Sequence, residues 1–171
     1  MEYIIKRGSF KPEGFHFKPY LFKSSISAAV IFDESAVYDP MFAEGYNGFS
    51  KLFGLSFPTP HWISSARFAW RSLGARGIEI VPYVYDNGKR IYRAFFEEIN
   101  TKLIIPPDKR FHFSIDIAND LYLFNVKDDV EAYTTAIPKH SSRFFIATQN
   151  YPYFGGQYPA PRDIKINMQI F

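Results

Sequence analysis

The feature that most constrains this chain is a two-residue rhythm. Residues 163–171, Asp-Ile-Lys-Ile-Asn-Met-Gln-Ile-Phe, alternate polar and apolar without a break. Successive side chains of a strand point to opposite faces, so the alternation predicts a strand with one dry side. Ile164, Ile166, Met168 and Ile170 would then face a core, with Lys165, Asn167 and Gln169 toward water. The same beat recurs along most of the chain, which predicts an antiparallel β protein.

Strand candidates follow at short intervals. They are Glu2–Arg7, Gly14–Lys23, Ile26–Asp33 (apolar enough to be buried on both faces), Arg90–Ile99, Lys102–Ile105, Phe111–Ile117, Leu121–Lys127 and Ser142–Thr148. Between Ser64 and Ser72 the pattern sets Ser65, Arg67, Ala69 and Arg71 on one face and Ala66, Phe68, Trp70 and Ser72 on the other. The next run sets Ile78, Ile80, Pro82 and Val84 against Glu79, Val81, Tyr83 and Tyr85. Asp86-Asn87-Gly88 supplies turn chemistry, since Asn and Gly tolerate the positive φ of a tight hairpin. Pro82 lacks a ladder donor, which predicts an edge strand or a bulge there. Residues 128–141 carry no clear pattern. Short strands with turn signals between them suit a two-sheet sandwich or a barrel, and the unequal strand lengths favour the sandwich. The looser stretch after Asp39-Pro40 predicts one short helical turn near residues 47–53, closed by Pro58 and Pro60.

A chain of 171 residues suits one domain with a self-sufficient core. The absence of cysteine excludes disulfides, thiolate metal sites and a cysteine nucleophile. Aromatics make up 19% of the residues, more than one core holds, so some must lie at the surface. The net charge of +3 is mildly basic, but Lys and Arg are scattered rather than blocked, so a nucleic-acid partner is not expected. The longest apolar run, Ala28–Phe32, is far short of the about 20 residues of a membrane span. Met1–Arg7 lack the apolar run of a signal peptide, so a soluble chain, cytoplasmic or virion-associated, is expected.

The densest polar and aromatic patch is His61-Trp62-Ile63-Ser64-Ser65-Ala66-Arg67-Phe68-Ala69-Trp70-Arg71. Two guanidiniums on one strand face, Arg67 and Arg71, present planar forks of donors that suit carboxylates, sulfates or sugar hydroxyls. Tyr83 and Tyr85 would lie beside them, and aromatic faces stack on the C–H surfaces of sugars. The competing reading is structural, with ion pairs on a solvated sheet and Trp70 in the core. The Tyr151-Pro152-Tyr153-Phe154-Gly155-Gly156-Gln157-Tyr158 loop has the adaptable, Tyr-rich composition of binding loops. Catalytic signatures are missing. His16, His61, His112 and His140 are far apart, and Glu97-Glu98 point to opposite faces of a strand. Asp116, Asp120, Asp128 and Asp129 lack calcium-loop spacing, and no phosphate-cradling glycine motif occurs.

The segment Tyr46-Asn47-Gly48-Phe49-Ser50-Lys51-Leu52-Phe53-Gly54-Leu55-Ser56 looks like small uncharacterised β-sandwich proteins of bacterial and phage genomes. So do His61 with Ser65–Arg71, Ile78-Glu79-Ile80, Asp86–Arg90, and the closing Tyr153-Phe154-Gly155-Gly156 with Pro159-Ala160-Pro161. The likeness covers most of the chain and implies a fold without an assigned activity. The order of strands resembles concanavalin-type jelly rolls in outline, without their metal-ligand pattern.

These readings predict an all-β, antiparallel two-sheet sandwich of jelly-roll type, one domain over 1–171. The expected function is non-catalytic recognition of carbohydrate, or of a glycan-bearing surface. The predicted contacts are Trp62, Arg67, Arg71, Tyr83, Tyr85, Tyr151, Tyr153 and Tyr158, with no cofactor, no metal and no membrane insertion. One alternative is a structural subunit of a phage particle or other assembly, a homo-oligomer included, whose surface aromatics are buried between subunits. Another is a polysaccharide-cleaving enzyme using His61 or His112 with Arg67 and a Tyr.

Overall fold

The structure, a computed structural model, describes residues 1–14, 18–21, 24–39, 48–57, 60–92, 102–140 and 146–171. Among these the strands in chain order are β1 (Glu2–Ile5), β2 (Lys18–Leu21), β3 (Ser25–Phe32), β4 (Ser50–Ser56), β5 (Ser65–Ser72), β6 (Ile78–Asp86) and β7 (Lys89–Tyr92). The second half supplies β8 (Leu103–Ile105), β9 (Arg110–Ile117), β10 (Leu121–Lys127), β11 (Ala132–Pro138), β12 (Ile146–Asn150) and β13 (Ile164–Ile170). They form two antiparallel sheets. One has six strands in the order β1-β13-β3-β9-β10-β11; the other has seven, β2-β12-β4-β5-β6-β7, with β8 also paired to β6. This is an all-β sandwich of jelly-roll type, as the alternation predicts. No helix among the described residues is long and apolar enough to cross a membrane.

The core lies between the sheets. Phe68 of β5 meets Phe113 of β9 and Phe124 of β10 edge-on, with ring centroids 5.0 and 5.1 Å apart, and Phe53 of β4 reaches Phe113 at 6.4 Å. Trp70 packs against Phe32 of β3 at 5.3 Å. Edge-to-face pairs of this kind each contribute about 0.5–1.5 kcal/mol beyond their area burial. Ile164, Ile166 and Met168 of β13 are buried and Ile170 is packed against the same core, as their periodicity requires. In β3 the second face is half-buried rather than buried, so its apolar run is covered fully on one side only.

Three local expectations change. The short helical turn expected near 47–53 is corrected: residues 50–56 are strand β4, and the helical turn described is a 3₁₀ turn at Glu34–Ala36. The 3₁₀ turn is capped by Asp33, whose side chain accepts from the Ser35 N–H at 2.9 Å. In β4 the register to β5 slips between Lys51 and Gly54, and Leu52 and Phe53 are both fully buried. That bulge breaks the alternation and hides the strand in the sequence. Pro82 pairs with Phe68 of β5 in an unbroken register, so β6 has no bulge there against β5. On its other side β6 pairs with β7 through Tyr83–Asp86 and with β8 through Ile78–Ile80, and what lies opposite Val81 and Pro82 falls outside the described residues. The unpatterned 128–141 stretch contains β11, an edge strand with a half-exposed pattern. His16, Glu97, Glu98 and parts of the predicted 14–23, 90–99 and 142–148 strands lie outside the described residues.

Candidate functional site

The site is built on the outward face of the seven-stranded sheet. β5 and β6 pair with Arg67 opposite Tyr83, Ala69 opposite Val81 and Arg71 opposite Glu79, so these side chains share one face. β4 brings Lys51 opposite Ala69 and Gly54 opposite Arg67. The β5–β6 connection turns through Gly74 (φ 63°) and Gly77 (φ 104°), and the β6–β7 hairpin, which sets Arg90 opposite Tyr85, turns at Asn87 (φ 50°) and Gly88 (φ 76°), the positive-φ pair that a two-residue loop needs. Trp70 and Phe68, one residue out of phase with Arg67, face the core.

Gly54 is what lets Arg67 lie down on the sheet. A Cβ at Gly54 would stand 2.2 Å from the Ala66 carbonyl oxygen, 2.6 Å from Arg67 Cα and 2.9 Å from Arg67 Cγ. With hydrogen there, the guanidinium stem crosses the neighbouring strand and is 94% buried (6% exposed). Among the described residues its Nε has no hydrogen-bond partner. The guanidinium carbon sits 5.6 Å from the Tyr83 ring centroid, and Lys51 Nζ lies over the same ring at 3.9 Å. Two cations therefore sit against one aromatic ring. Lys51 Nζ also donates to the Phe49 carbonyl at 2.5 Å.

Burial sets the electrostatics of this group. It pulls the Lys51 ammonium down to about 7, with the nearby charges of Arg67 and Arg90 adding to the effect. Burial likewise lowers Arg67 to about 10. His61 is lowered by burial, then by Arg67 and Lys51. The Tyr83 hydroxyl is pushed up by burial and by its hydrogen bond with Tyr85.

Two cavities open on this face. The larger, about 610 Å³, is lined by Lys11, Pro12, Gly14, Lys51, His61, Arg67, Asn150, Tyr151, Pro152 and Tyr153. The smaller, about 280 Å³, is lined by Gly48, Phe49, Lys51, Arg71, Tyr83, Arg90 and Gly156. Lys51 belongs to both. Among the described residues neither cavity is lined by an Asp or a Glu. The nearest carboxylate to Arg71, Glu79, is engaged: Arg71 Nε donates to its Oε2 at 2.6 Å, and Lys102 Nζ stands 3.5 Å from the same oxygen.

The Tyr-rich loop forms the opposite wall. Lys51 and Tyr153 exchange backbone hydrogen bonds of 2.7 and 2.9 Å, and the Gly155 N–H donates to Ser50 Oγ at 3.0 Å. Gly155 approaches so closely that a Cβ would stand 2.2 Å from the Phe49 carbonyl oxygen. Tyr153 stacks on Phe10 at 6.0 Å, and Tyr151 meets Tyr3 at the same separation.

Of the residues singled out in the sequence, the structure brings Arg67, Tyr151 and Tyr153 to the larger cavity and Arg71 and Tyr83 to the smaller. Tyr85 is half-buried and supports Tyr83, with ring centroids 5.8 Å apart. Trp62 is 56% exposed and lines neither cavity, but it stands edge-on to His61 at 4.9 Å, beside the mouth of the larger one. Tyr158 is exposed and lines neither. His112 is on β9, in the other sheet, so it does not meet Arg67. Sequence reasoning missed Lys51, Arg90 and Asn150. The signal for Lys51 was the glycine three residues on, since an isolated Gly in an apolar strand marks a bulge or a close approach.

No protein-family model matches the sequence, and no curated protein is similar to it. Solved structures are similar in fold. An alginate lyase from Klebsiella pneumoniae matches with TM-score 0.58 at 8% identity, over 86% of this chain and 59% of that one, so the chain spans well under two thirds of that protein. The alginate lyase vAL-1 from Chlorella virus matches with TM-score 0.55 at 15% identity, over 99% and 83%. The CBM2 module of the evolved Dit of Lactobacillus casei BL23 phage J-1 matches with TM-score 0.57 at 12% identity, over 98% and 73%. At these identities the likeness shows the fold alone, a jelly-roll sandwich.

Proposed function

We propose that this protein, read as one module over 1–171, binds carbohydrate on the outward face of the seven-stranded sheet. The observation that carries the reading is the larger cleft, about 610 Å³, which joins Arg67 and Lys51 on the sheet to Tyr151 and Tyr153 on the facing loop. Its size suits a small ligand or a few sugar rings, and it combines aromatic walls with a few convergent polar groups. Several solved structures of similar fold carry carbohydrate names, the two alginate lyases among them, which agrees with this reading. A broad glycan array tests it. Specific binding that disappears in Arg67→Ala and Tyr153→Ala, with the fold intact by circular dichroism, is expected. A blank array with folded protein would turn the reading toward a subunit of an assembly, in keeping with the phage module among the similar folds.

A second reading, polysaccharide cleavage, draws on His61 lining the same cleft as Arg67, Tyr151 and Tyr153. A proton-transferring group, a cation and a phenol in one cleft are the parts such chemistry uses. Depolymerisation of a bound glycan, abolished in His61→Ala with binding retained, would establish it. Binding without chain shortening leaves the protein a binding module.

A further inference from the structure

Arg67 is a charge in a place where charge is expensive. The residue is 94% buried, and among the described residues its Nε has no hydrogen-bond partner and no carboxylate lines the cavity it borders. Buried guanidiniums in folded proteins are normally paired, because the unpaired charge loses its hydration without compensation. Lys51 is in the same condition. Its Nζ has one carbonyl acceptor and a ring face, while both cavities it borders lack acids among the described residues. The contrast with Arg71, four residues after Arg67, is informative, since that guanidinium has Glu79. Two desolvated cations thus converge on one ring, beside a cleft with no counter-ion among the described residues.

We propose that the part of the cleft between Lys51 and Arg67 is the seat of an anionic group, so that the glycan recognised is an acidic one, bearing carboxylates or sulfates. This rests on the carbohydrate reading above and deepens it. A planar carboxylate or a sulfate in the cleft would compensate the charge of the Arg67 guanidinium, which lines it, and accept from the remaining N–H donors of Lys51. Tyr151 and Tyr153 on the facing loop would hold the sugar ring that carries the anion. A neutral sugar offers Arg67 only hydroxyls and leaves both charges uncompensated. The depressed proton affinity of Lys51 supports the assignment, because that amine is held near 7 by Arg67 and Arg90 in addition to burial. An arriving anion would restore its proton.

The test is affinity electrophoresis and calorimetry of the full chain with four polymers: polygalacturonate, the same polymer with its carboxyls reduced to alcohols, dextran sulfate and dextran. Binding to polygalacturonate at least about tenfold tighter than to its reduced form is expected, and it should drop at least about tenfold in both Lys51→Gln and Arg67→Gln. Preference for dextran sulfate over polygalacturonate would identify the anion as sulfate. Equal binding of acidic and reduced polymers overturns the anionic seat and leaves the carbohydrate reading standing. Acid-selective binding that both variants retain, in protein that still melts cooperatively, overturns the seat at Lys51 and Arg67. No binding to any of the four overturns the inference and the carbohydrate reading together.

Discussion

At the scale of single residues, the account turns on Lys51. Its amine is held near 7, so it is charged in mildly acidic solution and neutral in mildly basic solution. The groups that face it are Arg67, Arg90 and the Tyr83 ring. Affinity for an acidic ligand should therefore fall as pH rises from about 6 to about 8.5, as the protein loses that positive charge. His61, lowered by burial and by the same cations, changes charge below its ordinary range and moves affinity in the same direction at the acid end. Lys51→Met should remove most of the slope in a calorimetric pH series; an unchanged slope would assign the titration to another group. For stability the sign is opposite. An unfolded chain holds the lysine proton up to its ordinary pKa while the folded one releases it near 7, so this group adds stability as pH rises between those limits. Gly54 sets a second test. Gly54→Ala should cost about 3 kcal/mol in denaturant unfolding, because a methyl there collides with the β5 backbone and with Arg67 itself.

At the scale of elements, the two tryptophans, eight residues apart in sequence, do different work. Trp70 on β5 is fully buried against Phe32 and Phe154, so Trp70→Ala should cost about 3–5 kcal/mol of stability. Trp62 stands in the turn before β5, exposed beside His61, and Trp62→Ala should change stability by no more than about 0.5 kcal/mol. If it stacks on a sugar at the cleft mouth, the same substitution should weaken binding about tenfold. The two outcomes are separable by melting and titrating one protein.

The faces of β5 and β6 were legible because unbroken alternation is a direct image of the pleat: Arg67, Arg71, Glu79 and Tyr83 could be put on one side by counting. The loop with Tyr151 and Tyr153 was legible by composition. Lys51 was not, because the bulge between it and Gly54 buries Leu52 and Phe53 together and erases the beat that would have marked a strand. Arg90 was hidden for a different reason: a basic residue just after a hairpin turn looks like any solvated one until the sheet carries it beside Tyr83. The pairing of Arg71 with Glu79 rather than with a ligand follows from register, which a sequence does not state.

At the scale of the whole molecule, the sandwich separates the packed core from the face proposed for recognition. Phe53, Phe68, Phe113, Phe124 and Trp70 fill the space between the sheets. The outward face of the six-stranded sheet is polar and self-satisfied, with Asn125 donating to Asp116 at 3.0 Å and to Ser114 at 3.1 Å. The outward face of the other sheet holds Arg67, buried with its Nε unbonded among the described residues, and Lys51, whose Nζ is held by one carbonyl. The two outer faces therefore predict different behaviour toward a ligand. Amide chemical-shift mapping with a short oligouronate distinguishes them directly. The account predicts shifts concentrated at Phe49–Lys51, Arg67–Ala69, Tyr83 and Tyr151–Phe154, with Lys165, Asn167 and Gln169 unmoved. Shifts centred on the six-stranded sheet, or scattered over both faces, would contradict it.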